Sequence, residues 1–220
     1  MVSSGDIEYI HTKRIKKGQL NLESPFLEFA EWFLKIYGFR PLNIIYDIIE
    51  HNKRPRLQVI FEKYQDVRWF RADNKLFLNS TRQEEVAAAF RNLILDYPQF
   101  SADNLYVIFN SFEPIAKEEA NGKISNQRLD KLKSDLSNND IWEIRRNFST
   151  GIFFFYTMEQ AITNETNGTK EKLKEEYFKL IKECDEFDYI KKESFDIKID
   201  SKENFDENYQ SNWFYYFKDN

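Results

Sequence analysis

The chain has 220 residues and a formal charge of −5, with 32 Lys and Arg against 37 Asp and Glu. A 41% hydrophobic fraction is enriched in large side chains (21 Phe, 12 Tyr, 4 Trp), and 6 Gly and 5 Pro are too few for a loop-dominated or disordered chain. One cysteine, Cys184, excludes an internal disulfide; with no signal-like run after Met1 and no apolar stretch near the roughly 20 residues of a membrane helix, a cytoplasmic protein is expected.

Residues 1–22 are polar, with HTKRIKK at 11–17, and read as a basic, loosely docked N-terminal arm. Ser24 and Pro25 then suit an N-cap and first helical position. Phe26, Phe29, Ala30, Phe33, Leu34 and Tyr37 follow at helical spacing up to Gly38, which predicts a helix over 25–37. Leu42, Ile44, Tyr46 and Ile48 share one parity, as do Leu57, Val59 and Phe61, so 42–64 is expected to be a hairpin around the polar connection HNKRP. VRWFR and KLFLN read as short strands on either side of Ala72, Asp73 and Asn74. Thr81 to Glu84 has capping-box spacing and opens a helix over 82–97 that stops at Pro98. LYVIFNSF, apolar on both parities, reads as a central strand.

Residues 113–122 read as a boundary element, with Pro114 suited to start a short helix and Gly122 to end it. Ser125 caps a helix carrying Leu129, Leu132 and Leu136, and IWEIRR and GIFFFYTM flank a second hairpin turn at 147–151. Thr169 opens a helix over 169–185, with Leu173, Tyr177, Leu180, Ile181 and Cys184 on one side. Phe195, Ile197 and Ile199 alternate with charged residues as a half-buried strand. SKENFDENYQSN is expected to be a loop before a closing strand from Trp213 to Phe217. The fold class expected is therefore α+β, with antiparallel hairpins and packed helices. The element order admits two αββαβ halves, 23–121 and 122–220, that share or appose sheets; one domain with a single mixed sheet is the alternative.

Catalytic signatures are missing. His11 and His51 have no His or Cys at zinc spacing, Cys184 lies on the apolar side of its helix, and no phosphate loop, nucleophile elbow or dinucleotide fingerprint occurs. No catalytic, cofactor or metal residue is assigned, and enzymatic activity is not expected. A carboxylate-based hydrolase site stays open because acids are plentiful. An RNA-associated role would use Lys53, Arg54 and Arg56 in the hairpin connection and the Arg68, Trp69, Phe70, Arg71 stretch. Against nucleic acid as a general partner, residues 183–220 hold eleven acids and five lysines, and the preceding chain is close to neutral.

The leading expectation is a protein-binding module. Glu203, Asp206 and Glu207 beside Tyr209, Trp213 and Tyr216 combine acids with aromatic anchors suited to a basic protein surface. In acidity, in aromatic content and in lacking catalytic residues, the chain is similar to bacterial immunity proteins, a likeness of composition and not of motif. The resemblance implies a cytosolic, stoichiometric inhibitor that occludes a toxin or enzyme domain.

Overall fold

The computed structural model describes residues 3–72, 77–136 and 140–219. They divide into two compact units, Met1–Ile115 and Ala116–Asn220, and the strands form two separate three-stranded sheets. The fold is α+β.

In the first unit α1 (Ile7–Lys16) and α2 (Phe26–Tyr37) precede a hairpin of β1 (Asn43–Ile49) and β2 (Arg54–Phe61). Then come α3 (Tyr64–Val67), a 3-10 turn at Arg68–Phe70, α4 (Ser80–Leu93), a second 3-10 turn at Ile94–Asp96, and β3 (Tyr106–Ser111). The order is β1-β2-β3; β1 pairs antiparallel with β2, setting Ile44 opposite Val59, and β3 runs parallel to β2, setting Phe109 beside Val59. Leu57, Val59 and Phe61 turn one face of the central strand into a core with Phe29 and Phe33 of α2, Phe90 of α4, and Phe70. Phe70 stacks on Phe109 with centroids 4.0 Å apart, so the scarcity of Leu and Val is met by ring packing. α2 ends as the sequence indicates, with Gly38 at φ 81° accepting the left-handed conformation that a side chain resists.

The second unit has α6 (Asn126–Asp135), a hairpin of β4 (Ile141–Asn147) and β5 (Thr150–Phe155), α7 (Met158–Thr166), α8 (Thr169–Cys184), β6 (Lys198–Ser201), α9 (Lys202–Tyr209) and α10 (Trp213–Asp219). Between β3 and α6, α5 (Phe112–Gly122) begins in the first unit and ends in the second. The pairing repeats that of the first unit: β4 antiparallel to β5, β5 parallel to β6. In both, the third strand enters a helix directly, and the backbone N–H of that helix's second residue donates to the residue after the central strand, Glu113 to Glu62 and Glu203 to Tyr156. Each unit thus holds the αββαβ order.

β5 explains how the second unit is layered. Ile152, Phe153, Phe154 and Phe155 are all fully buried, so both faces of the strand are covered. Phe153 and Phe155 pack with Leu173, Tyr177 and Ile181 of α8, while Ile152 and Phe154 pack with Phe205 and Tyr216. The second cover is the α9–α10 pair.

Several expectations are corrected. The basic N-terminal arm contains a helix, docked because Tyr9 is buried and stacks on Phe112 at 5.0 Å, and because Asn43 Nδ2 donates to the buried Thr12 hydroxyl. Pro25, not Ser24, is the residue preceding α2. Pro55 lies within β2 rather than in the turn. Of VRWFR, Val67 to Phe70 are helical, which buries Val67 and Phe70 three positions apart; of KLFLN, Leu78 makes an isolated bridge to Arg71, and Asp73, Asn74, Lys75 and Leu76 lie outside the described residues. α4 is capped by Asn79, whose side chain accepts from the Arg82 amide, instead of by Thr81. β3 is an edge strand with alternating burial, because β2 takes the centre of the sheet. The loop and closing strand expected over 201–217 are the helices α9 and α10.

Candidate partner-binding surface on the carboxy-terminal helix pair

Local chemistry builds the α9–α10 pair. The Ser201 hydroxyl accepts from the Asn204 amide at 3.0 Å and starts α9 straight off β6. Gln210 and Ser211, at φ 54° and 55°, reverse the chain, and the Asn212 side chain accepts from the Phe214 amide at 2.9 Å to start α10. Helical spacing turns Phe205 and Tyr209, then Trp213, Tyr216 and Phe217, toward β5.

The six residues expected to contact a partner therefore separate. Tyr216 is 1% exposed, its ring lies 5.2 Å from Phe154, and its hydroxyl donates to Asp200 Oδ2 at 2.5 Å. Burial, reinforced by the Asp200 carboxylate, pushes its ionisation well above the usual tyrosine range. It is a core residue rather than the surface anchor expected from the sequence. Trp213 stacks on Phe205 at 4.0 Å and on Trp142 at 6.0 Å, with the Arg145 guanidinium 4.2 Å over its ring. Tyr209 is half-buried with its ring edge-on to Tyr216 at 4.9 Å. The acids lie outside. Glu203 accepts from the Met158 amide at 2.7 Å and so serves the start of α7. Asp206 is bonded to Lys202 and, at 2.6 Å, to the Ser211 hydroxyl; these partners, Lys202 first, hold its carboxyl below the usual range. Glu207 is exposed.

The outward face of α10 carries two aromatics outside the six residues expected to contact a partner. Phe214 is 71% exposed and Tyr215 45%, with ring centroids 5.8 Å apart. Parity on a strand separates residues 214 and 215, whereas a helix places both opposite Trp213, Tyr216 and Phe217.

Much of the acid-rich end is matched by nearby cations. Lys182 binds Asp185 and Asp188, Lys191 binds Asp188, Lys123 binds Glu186, and Arg128 of α6 binds Glu183. The expected acidic field is thereby reduced, and on α9 Glu203 and Glu207 remain exposed.

The basic hairpin connection is also engaged internally. Arg54 Nε donates to the Asn104 carbonyl at 2.7 Å and its guanidinium lies 4.9 Å over the Tyr106 ring. Arg56 makes two bonds to Asp47, at 2.8 and 2.7 Å, which raise its pKa further. His11 lies 3.4 Å from Asn43 Nδ2, His51 is exposed, and the half-buried Cys184 sulfur is 3.9 Å from Arg128 Nη1. Among the described residues no three His, Cys, Asp or Glu side chains converge at metal-binding distance, and no helix is long and apolar enough to cross a membrane. Comparison with protein-family models, with curated proteins and with solved structures finds no match to this chain.

Proposed function

We propose that the protein is a cytoplasmic, non-catalytic binding module that inhibits a basic toxin or enzyme partner by covering its functional surface. The observation that carries this reading is the exposed Phe214–Tyr215 pair on the same helix pair as the exposed carboxylates of Glu203 and Glu207. Aromatic anchors supply contact area at low entropic cost, and neighbouring acids raise the association rate with a basic surface. The helices that present them are fixed to β5 by Phe205 and Tyr216, so the surface is ordered before binding. An RNA role at residues 51–56 has less support, because Arg54 and Arg56 already have partners within the chain.

The test is capture of a partner by the immobilised protein, repeated with the double variant Phe214→Ala, Tyr215→Ala. The expected result is a one-to-one complex with a protein of basic isoelectric point, weakened about 30-fold or more in the variant, whose thermal midpoint stays close to that of the wild type. Equal retention by both proteins rules this surface out.

A further inference from the structure

In the first unit the 3-10 turn Arg68–Phe70 and the start of α4 enclose an open cavity of about 530 Å³, within the range of small-ligand sites. Its walls carry three arginines, Arg68, Arg71 and Arg82, with Trp69, Tyr64 and Asn79 between them, and no described carboxylate lines it. That composition is unusual in a chain whose net charge is −5, and in which arginines elsewhere, such as Arg40, Arg56 and Arg128, pair with carboxylates.

Two details separate the cavity from a chance cluster. Arg71 lines the cavity, and among the described residues its Nε is buried without a hydrogen-bond partner, so this guanidinium is not saturated by contacts within the fold. Arg82 is held in place: its guanidinium donates to the Trp69 carbonyl and lies 5.3 Å over the Trp69 ring. Arg82 is also the residue whose amide is capped by Asn79, which puts the positive end of the 14-residue α4 at the same wall. Trp69 is 58% exposed and Tyr64 51%, so aromatic surface remains open beside the cations.

We infer that this cavity binds a small ligand bearing a phosphate or diphosphate group next to a planar ring, a nucleoside diphosphate being the matching class. Guanidinium groups fit phosphate oxygens in pairs, and three of them around one cavity suit a ligand with more than one anionic oxygen group. Trp69 offers a flat surface for the ring. The site is independent of the α9–α10 surface and stands or falls without it.

Calorimetric titration of the full chain with pyrophosphate and with ADP tests the inference. Both are expected to give saturable one-to-one isotherms, ADP the tighter. Arg68→Ala, at an exposed position, should weaken both about tenfold or more without changing the melting curve. Trp69→Ala should remove the advantage of ADP while leaving pyrophosphate binding close to that of the wild type. The inference is overturned by the lack of saturable binding up to about 10 mM, a concentration that nearly fills even a millimolar site. It is equally overturned by unchanged affinity in Arg68→Ala, by sulfate binding as tightly as pyrophosphate, or by single-stranded RNA binding more tightly than ADP at the same salt concentration.

Discussion

Gly151 lies against the face of Tyr177: a Cβ placed on it would stand 2.5 Å from Tyr177 Cε2. The ring has no room to yield, because its hydroxyl donates to Asn121 Oδ1 at 2.8 Å, and Asn121 Nδ2 in turn donates to the Phe148 and Thr150 carbonyls. Gly151→Ala is therefore expected to destabilise the second unit by about 1–3 kcal/mol and lower its thermal midpoint by roughly 5–15 °C. The sequence marks Gly151 as a turn residue, and only packing reveals that its role is to leave space for a ring 26 positions away. A second residue-scale expectation concerns acid stability. Lys182, then Lys191, hold the Asp188 carboxyl down to about 2. A carboxylate whose folded pKa is depressed stabilises the fold above its unfolded value, near 4, and loses that contribution as pH falls toward 2. Denaturation midpoints of Asp188→Asn should lie below those of the wild type at neutral pH and converge with them by about pH 2. A constant difference across that interval would show that Asp188 is not coupled to folding.

At the level of elements, capping decides cases that hydrophobic pattern leaves open. α7 starts with a full capping box, the Thr157 hydroxyl accepting from the Gln160 amide and the Gln160 side chain accepting from the Thr157 amide. Thr157→Ala should cost about 1 kcal/mol in chemical denaturation. That motif is present in the sequence, but the apolar run GIFFFYTM draws a strand across it. The same competition misplaces α9 and α10. In WFYYF every position is aromatic, so no periodicity distinguishes a strand from a helix, and the deciding features are the Ser201 and Asn212 caps. By contrast α2, α4 and α8 each alternate polar and apolar residues at a single period, and their positions are legible to within a few residues. For the candidate surface the consequence is an exchange of residues: the acids stay outside as expected, Tyr216 moves into the core, and Phe214 and Tyr215 take the exposed positions.

Across the whole molecule, both hairpins, the α+β class and the repeated αββαβ order can be read from the sequence, because each central strand is flanked by clear turns. What the sequence conceals is the role of the chain ends. Tyr9 of α1 stacks on Phe112, and α9–α10 cover the face of β5 opposite α8, so both terminal segments that look peripheral are part of the packing. Charge is similarly deceptive: the acid-rich end counts as −6 in sequence, but Lys123, Lys182 and Arg128, from the preceding chain, pair with part of it. The proposed inhibitory role therefore depends on a compact aromatic face with a few acids rather than on a broad acidic field. The most direct measurement is a titration of the captured partner's activity with increasing amounts of this protein. Stoichiometric occlusion gives a linear loss of activity that ends at one equivalent and returns when the complex dissociates. Loss of partner activity at a small fraction of an equivalent, continuing with time, would mean turnover and would contradict the account.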